Sequence, residues 1–389
     1  MIGAPRPTMA RVTAALQTVG LNGLFLDPGR SSGTETYLRG LVGALVDEAP
    51  RTRFTLVTTR RGAAALAREG WGERLELVTL PADEGQRVRR QVAEQLLLPR
   101  LARRRRFEVL HSLANLAPVT VGVPSAVTLH DVTFFTQRTF GAVATLGMRA
   151  VVARAARRAD ALVAISEAAR EEIVALLGIP AARIAVVPNG RGREHAAAAA
   201  DPAAVRARHR LTGERLVLCV AAKRPHKNQE LLVRAAPLLG ERTDVVLAGH
   251  PEPYDAELRR LASAVGAANV RFADYVPDAE LEALWALADC AAFPTLAEGF
   301  GLPVVEAMDR GVPVACSDIP VLREVGGDVP AYFDPRDPAA LAAAVETAIG
   351  AGAERVARGR ERAAGYSWAE AARGTLEAYE RARHAAAAR

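Results

Sequence analysis

Lysine is the residue that this sequence most conspicuously lacks. Lysine and arginine together number 50 among 389 residues, yet only Lys223 and Lys227 are lysines. Both lie in one short segment, AAKRPHKNQE. A compact ammonium with rotatable donors is not interchangeable with a planar guanidinium. The pair therefore marks this segment as one that requires an ammonium group, although a chance coincidence of the two positions is the alternative.

Cysteines, long apolar runs and aromatic residues are also scarce. The three cysteines, Cys219, Cys290 and Cys316, lie in apolar segments and lack disulfide or metal-ligand spacing. They predict small buried side chains in a reducing compartment. No segment reaches the roughly 18 consecutive apolar residues of a membrane span, and residues 1–20 do not resemble a signal peptide. We therefore expect a cytoplasmic protein.

The charge balance is mildly basic, with a net charge of +6 and a pI of about 9.6. Basic proteins include nucleic-acid-binding proteins, which remain a less favoured alternative. The excess charge is small, aromatic residues make up only 5%, and acidic residues are interspersed throughout. These features argue against a nucleic-acid partner.

Short apolar runs alternate with longer helical patterns from end to end, which is typical of βαβ units with parallel sheets. In the first half, the first predicted strand spans residues 22–27 and a long helix spans 86–105. An alanine run before Pro202 separates two such series. The predicted strands of the second half are 215–221, 244–248, 270–273, 289–293 and 313–316. The sequence thus predicts two doubly wound α/β domains, 1–195 and 196–389, with ligands bound at the carboxyl ends of the strands.

The segment FPTLAEGFGLPVVEAMDRGVP carries the strongest chemical signal. Its glycines precede a helix predicted to begin near Leu302, with Pro303 in the first turn. Backbone N–H groups at such a helix start can approach a phosphate, and the helix dipole favours the anion. Glu306, expected in the first turn, could accept hydrogen bonds from ribose hydroxyls. The alternative is an ordinary glycine turn.

The lysine-containing loop follows the first strand of the second half, where open α/β sheets bind ligands. Lys223, Arg224 and Lys227 place three cations within five residues. We expect them to neutralise a diphosphate group. A solvated charged loop is the alternative.

Four features of the first half have weaker signals. His130 ends a strand-like run at the predicted cleft, and Gly33 lies beside a helix start, where it could approach a phosphate or sugar. Ser166 is best interpreted as a helix N-cap. Asn189 and Gly190 indicate a turn near the end of the first domain.

In order along the chain, the motifs GTETYLRGL, VTLHDVTFF, AISEAAREEI, VVPNG, KRPHKN, EGFGLPVVEA and GVPVACSD together resemble glycosyltransferase family 4, the retaining enzymes of the GT-B fold. The resemblance runs from about residue 24 to residue 379. It implies two Rossmann-like domains that face a central cleft. The N-terminal domain would bind the acceptor, the C-terminal domain the nucleotide sugar, and a final helix near 368–383 would pack back on the N-terminal domain.

The resemblance also implies an activity: retaining, metal-independent transfer of a hexose of mannose, glucose or rhamnose type. The donor would be a nucleotide-diphosphate sugar, without a cofactor. The acceptor would be a glycan, a lipid-linked sugar or a small molecule, in polysaccharide, glycolipid or natural-product biosynthesis. A sugar-nucleotide epimerase of the same architecture is the alternative enzyme.

The family pattern assigns roles to individual residues. Catalytic roles are implied for His130 over the transferred sugar, Lys227 at the diphosphate and Glu298 at the sugar hydroxyls. Glu306 would bind the ribose, and Gly33 would approach the phosphate. The full set implied for donor binding is Gly33, Lys223, Arg224, Lys227, Glu298, Gly299, Phe300, Gly301, Leu302 and Glu306.

Three departures from the family pattern concern the binding loops. In the first loop, Ser32 and Gly33 stand where the family usually has a pair of glycines. Ala222 stands where the family usually has arginine, so that Lys223 or Arg224 would have to substitute for it. The aspartate that often follows the PNG motif is replaced by Arg191 and Gly192.

A basic amphipathic segment, QVAEQLLLPRLARRRRFEVL, combines apolar positions at helical spacing with Arg100 and the run from Arg103 to Arg106. Such helices can lie on anionic lipid. Peripheral contact with the inner face of a membrane is therefore one interpretation of this segment, and a solvated helix end is the slightly favoured one.

Overall fold

The computed structural model describes residues 16–29, 32–82, 87–132, 135, 142–192 and 199–389. The first half forms a seven-stranded parallel sheet. Its strands are β1 (Thr18–Asn22), β2 (Arg53–Thr58), β3 (Glu76–Thr79), β4 (Val109–Ser112), β5 (Ser125–Leu129), β6 (Ala161–Ala164) and β7 (Ile184–Val186). Their order across the sheet is β3-β2-β1-β4-β5-β6-β7.

The second half forms a separate six-stranded sheet, also parallel throughout. Its strands are β8 (Arg215–Val220), β9 (Thr243–Ala248), β10 (Val270–Ala273), β11 (Cys290–Phe293), β12 (Val314–Ser317) and β13 (Ala331–Phe333), in the order β10-β9-β8-β11-β12-β13. In both sheets the first strand lies inside the sheet and the order reverses beside it. This is the doubly wound topology in which ligands bind at the carboxyl ends of the strands. The predicted pair of Rossmann-like domains is confirmed.

Helices connect the strands on both faces of each sheet, as parallel pairing requires. In the first half they are α1 (Ser32–Glu48), α2 (Arg60–Arg68), α3 (Trp71–Arg74), α4 (Arg87–Val92), α5 (Leu98–Arg105), α6 (Ala142–Arg158) and α7 (Glu167–Leu177). In the second half they are α8 (Pro202–His209), α9 (Gln229–Ala235), α10 (Asp255–Ala264), α11 (Asp278–Leu287), α12 (Leu302–Arg310), α13 (Pro320–Gly326), α14 (Pro338–Ile349), α15 (Gly352–Ala364) and α16 (Trp368–Ala387).

Two predictions for the first half need correction. The first strand is Thr18–Asn22, and residues 22–27 mostly form the turn that follows it. The error arises because Leu24 and Leu26 are buried within that turn, so its apolar pattern imitates a strand. The long helix predicted over 86–105 is interrupted by a π-helical segment, Ala93–Leu97, between α4 and α5. The predicted domain boundary at residue 195 lies outside the described residues.

The last helix, α16, packs against α1 and against β4, β5 and β6 of the first sheet. The chain therefore ends on the domain in which it began. Cys219, Cys290 and Cys316 are buried in the second domain, and burial raises the pKa of the first two thiols to about 12. Among the helices of the described ranges, none is both long and apolar enough to cross a membrane.

Candidate active-site cleft

The loop after β8 is fixed by a residue in the left-handed conformation. A short 3-10 turn, Pro225–Lys227, is followed by Asn228, whose φ is 53°. The Asn228 amide donates hydrogen bonds of 2.9 Å to the carbonyls of Pro294 and Pro335. Asparagine tolerates this backbone conformation better than most residues. The lysine loop is thereby attached to the carboxyl end of β11.

The lysine loop and the loop after β11 meet directly. The ammonium Nζ of Lys227 lies 2.6 Å from Glu298 Oε1. The His226 carbonyl accepts hydrogen bonds from the Leu296 amide at 2.8 Å and from Thr295 Oγ1 at 3.1 Å. The side chains of Lys227 and Glu298 are 21% and 16% exposed, so both remain accessible to a ligand. The structure therefore brings these two predicted residues together.

Helix α12 begins immediately after this ion pair. Gly301, with φ of 97°, precedes the helix, and Pro303 lies in the first turn as predicted. No acidic residue lies in that turn, because the helix begins at Leu302 and Glu306 is its fifth residue. The predicted position of Glu306 is therefore wrong by one turn. Its side chain is half-buried and adjacent to Gly192 of the first domain.

The first domain approaches the same loop through His130. A Cβ atom added to Gly299 would overlap the His130 carbonyl oxygen, so the two backbones pass in direct contact. The His130 ring Nε2 lies 2.8 Å from the Leu113 carbonyl, to which it must donate because a carbonyl only accepts. Burial lowers the pKa of His130, which favours the neutral ring with Nδ1 as an acceptor.

Gly33 and Ser166 complete the first domain's side of the cleft. Gly33 is exposed in the first turn of α1, and a Cβ added to it would lie 4.0 Å from Leu302 Cδ1. Ser166 caps α7 by accepting from the Ala169 amide, which confirms the predicted N-cap. Its hydroxyl also donates to the Gly299 carbonyl at 2.7 Å. The starts of α1, α7 and α12 thus border one cleft.

Comparisons with known proteins bear on what this cleft is. The family described as "Glycosyl transferases group 1" matches residues 203–364, and "Glycosyltransferase Family 4" matches residues 31–192. The two matches divide at the same place as the two sheets and together account for most of the chain. The chain belongs to this glycosyltransferase family.

Relatives of this chain are known in several bacteria. It is 31% identical over 231 residues to an O-antigen chain mannosyltransferase B of Escherichia coli, covering 57% of this chain and 61% of the relative. It is 34% identical over 250 residues to a D-inositol 3-phosphate glycosyltransferase of Kineococcus radiotolerans, covering 58% of each chain. The aligned part therefore spans only about three fifths of these relatives.

Solved structures with the same fold cover almost the whole chain. Sucrose-phosphate synthase from Thermosynechococcus elongatus superposes with a TM-score of 0.72 at 20% identity, over 94% of this chain and 98% of that one. HepE from Anabaena, in complex with UDP-glucose, gives 0.71 at 19% identity, over 93% and 98%. These similarities identify the GT-B fold. The matches do not favour the epimerase alternative.

One residue of the predicted donor site lies outside the cleft. Lys223 is 0% exposed, and its ammonium donates to the carbonyls of Gly249 at 2.7 Å and Ala273 at 3.3 Å. The carboxylates of Asp255 and Asp274 lie 3.6 and 3.5 Å away. Burial lowers the pKa of Lys223. A fully buried ammonium cannot reach a ligand in the cleft, which contradicts the predicted diphosphate contact.

Of the remaining predicted residues, Arg224 lies in the lysine loop, and Phe300 and Leu302 lie at the entry to α12. The Arg224 side chain is about half exposed and forms an ion pair with Glu252 at 2.9 Å. It is therefore accessible to a ligand, but it already has a partner. Phe300 is buried edge-to-face against Tyr366, with ring centroids 5.3 Å apart. Leu302 begins α12. Phe300 and Leu302 could therefore offer backbone N–H groups to a ligand while their side chains pack.

Sequence reasoning missed Glu324, which joins the two domains. From α13, its carboxylate accepts hydrogen bonds from the backbone amides of Glu167 at 2.8 Å and Ala168 at 2.9 Å. These are unpaired donors at the start of α7, where a carboxylate is also favoured by the helix dipole. No motif around Glu324 identifies the contact. Within the described ranges, no group of three or more His, Cys, Asp or Glu side chains has the arrangement of a metal site.

Proposed function

We propose that this chain is a retaining glycosyltransferase that transfers a hexose, of mannose type in the first instance, from a nucleotide-diphosphate sugar to a glycan acceptor without a required metal. The observation that carries the proposal is the ion pair between Lys227 and Glu298 at the entry to α12. It combines a cation, a carboxylate and a helix start at one point of the cleft. The choice of mannose rests on two relatives from Escherichia coli, an O-antigen chain mannosyltransferase and a serotype-specific mannosyltransferase.

The donor diphosphate would lie at the start of α12. Phosphates are stabilised there by unpaired backbone N–H groups and by the helix dipole, and the glycine at position 301 leaves space for close approach. Lys227 would contact the diphosphate and stabilise the negative charge that grows as the bond to the sugar breaks. Its present partner, Glu298, would then turn to the hydroxyls of the sugar.

The ribose would lie one turn further along α12, beside Glu306. From the fifth position of the helix, the carboxylate can reach past the phosphate-binding first turn. This spacing suits a ligand whose diphosphate and ribose are adjacent groups. The side chain would then accept from the ribose hydroxyls.

His130 would contact the transferred sugar through a neutral ring. Since Nε2 is committed to the Leu113 carbonyl, only Nδ1 remains to interact, and it can only accept. A neutral imidazole adds no positive charge beside the diphosphate, so charge stabilisation falls to Lys227 and α12. Retention would follow the family's pattern, in which the donor phosphate helps to deprotonate the acceptor and no enzyme nucleophile is needed.

The acceptor side would include the helical segment from α4 to α5. Val92 and Leu96 are 47% and 51% exposed there, beside the arginines of α5. This combination suits peripheral contact with an anionic membrane that carries a lipid-linked acceptor. Flotation with phosphatidylglycerol vesicles tests it: binding should fall in an Arg103→Glu, Arg104→Glu double variant. Equal binding to neutral phosphatidylcholine vesicles would count against the contact.

A thermal-shift screen with GDP-mannose, UDP-glucose and dTDP-rhamnose tests the donor. A ligand at 100 times its dissociation constant stabilises the folded state by about 2.7 kcal/mol. The donor that stabilises the protein should then yield a glycosylated acceptor with the same anomeric configuration. Formation of a free epimer from the donor alone would instead support the epimerase.

A further inference from the structure

Trp368, the first residue of α16, packs where two glycines make room for it. Its ring occupies the space that side chains at Gly40 and Gly190 would fill. Its indole Nε1 donates to the Gly192 carbonyl at 2.8 Å. One side chain therefore fixes α1 and the turn that follows β7 at the same point.

The other side of this turn contacts α12 of the second domain. Gly192 has φ of 98°, and a Cβ added there would lie 2.5 Å from Glu306 Cγ and Oε1. The neighbouring Arg191 donates its backbone N–H to Tyr366 at 3.1 Å and pairs with Asp309 at 3.5 Å. The turn is thus enclosed between the start of α16 and the face of α12 that carries Glu306.

We propose that Trp368 and Gly192 are positioning residues that set the Glu306 carboxylate for the ribose of the donor, and so determine selectivity for ribonucleotides. This inference rests on the proposed function. The bare backbone of Gly192 leaves space for only part of the rotamer range of Glu306. The indole hydrogen bond holds the Gly192 backbone in place. One boundary of the space open to the Glu306 carboxylate therefore depends on Trp368.

The arrangement accounts for the departure from the family pattern at this turn. A side chain at position 192 would meet Glu306, and φ of 98° is strained for any residue other than glycine. Position 192 therefore requires glycine for two reasons: the close approach of Glu306 and the backbone conformation of the turn. Arg191 supplies a tie to α12 through Asp309.

Isothermal titration calorimetry of the full chain with GDP and dGDP, and with UDP and dUDP, tests the proposal. The matched deoxynucleotides lack the 2′-hydroxyl, so the ratio of dissociation constants reports the ribose contact alone. The accepted ribonucleotide should bind roughly 10- to 100-fold tighter than its deoxy form, as expected for one hydrogen bond to a carboxylate. Gly192→Ala should reduce this ratio to about 3 or less, and Trp368→Phe should reduce it several-fold.

Trp71→Phe is the matched control. Trp71 also packs beside a glycine of α1, with its ring 3.8 Å from a Cβ added to Gly43, but it lies away from the turn. The ratio of dissociation constants for Trp71→Phe should equal that of the unmodified protein. A general loss of stability would weaken the binding of the ribonucleotide and of the deoxynucleotide equally.

The outcomes separate this inference from the proposed function. A folded Gly192→Ala protein with full ribose discrimination overturns the positioning role. If that variant does not fold, unchanged discrimination in Trp368→Phe overturns it instead. A protein that binds GDP or UDP without discrimination also overturns it and leaves the transferase proposal intact. Binding of no nucleotide at all would overturn the proposed function itself.

Discussion

The two faces of the cleft differ in the chemical groups that they present. The C-terminal face presents charge and bare backbone: the Lys227–Glu298 pair, glycines, and the start of α12. The N-terminal face presents neutral polar groups, such as the His130 ring and the Ser166 hydroxyl, that already have hydrogen-bond partners. Under the proposed function, the C-terminal face would supply electrostatic stabilisation and the N-terminal face would supply shape.

The neutral face is held by a buried chain of hydrogen bonds. Tyr379 of α16 bonds His111 Nδ1 at 2.7 Å, His111 Nε2 bonds Thr128 at 2.8 Å, and Thr128 bonds Tyr37 at 2.9 Å. The Tyr37 ring then meets the edge of His130, with centroids 4.5 Å apart. Burial lowers the pKa of His111 to about 3, so this chain carries no charge near neutral pH.

Removing the charge from the C-terminal face should have the largest effect. Lys227→Ala should lower kcat by about 100- to 1000-fold, since a charge-stabilising group would be lost where negative charge develops. Steady-state kinetics with the accepted donor measure it. Arg242→Ala, which removes an exposed cation paired with Glu214 away from the cleft, is the control and should change kcat by less than about threefold. Equal losses in both variants would contradict a specific role of Lys227.

The contact between the two faces should be the next most sensitive point. In Gly299→Ala the added methyl cannot coexist with the His130 carbonyl, so the domains must separate locally. Because small misplacements at a reacting centre are costly, kcat/KM should fall by about 100-fold. Gly147→Ala is the control, because nothing lies within 4 Å of a Cβ placed there. Normal activity in Gly299→Ala would mean that transfer does not require this contact.

Lys223 should affect stability more than chemistry. Lys223→Met keeps most of the packing but leaves two carbonyls and the nearby Asp255 and Asp274 without the ammonium. Unpaired buried groups cost about 1–3 kcal/mol each, so we expect the free energy of unfolding to fall by at least about 2 kcal/mol. Urea denaturation measures it. A stable variant with weakened nucleotide binding would place Lys223 back in the donor site.

The smallest effect should come from the neutral face, where the free energy of unfolding should depend on pH. The unfolded chain protonates His111 near its ordinary pKa of 6.5, whereas the folded chain does so only near 3. Stability should therefore decline as pH falls below 6.5, by up to about 1.4 kcal/mol per pH unit from this group. Urea denaturation at pH 7.0 and 5.5 should show a shallower decline in His111→Gln than in the unmodified protein. The exposed His384→Gln variant should match the unmodified protein, and identical slopes in all three would contradict the prediction.

The sequence predicts the charged face better than the neutral one, because its residues are local. Lys227, Glu298 and Gly301 occur in two short motifs at strand ends, and parallel topology brings such ends together. The burial of Lys223 could not be predicted, since its ammonium bonds the carbonyls of Gly249 and Ala273, which lie 26 and 50 positions away. The approach of Tyr379 to His111 joins residues 268 positions apart. Glu324 is 157 positions from Glu167 of α7, and nothing in its local sequence indicates a helix cap in another domain.

The three buried cysteines make this chain a convenient host for site-directed labelling. Burial raises the pKa of Cys219 and Cys290 to about 12 and that of Cys316 as well, so the reactive thiolate form is disfavoured at all three. A thiol introduced on the surface would therefore react first. A dye on each domain could then report the distance between them during turnover, with no native cysteine removed.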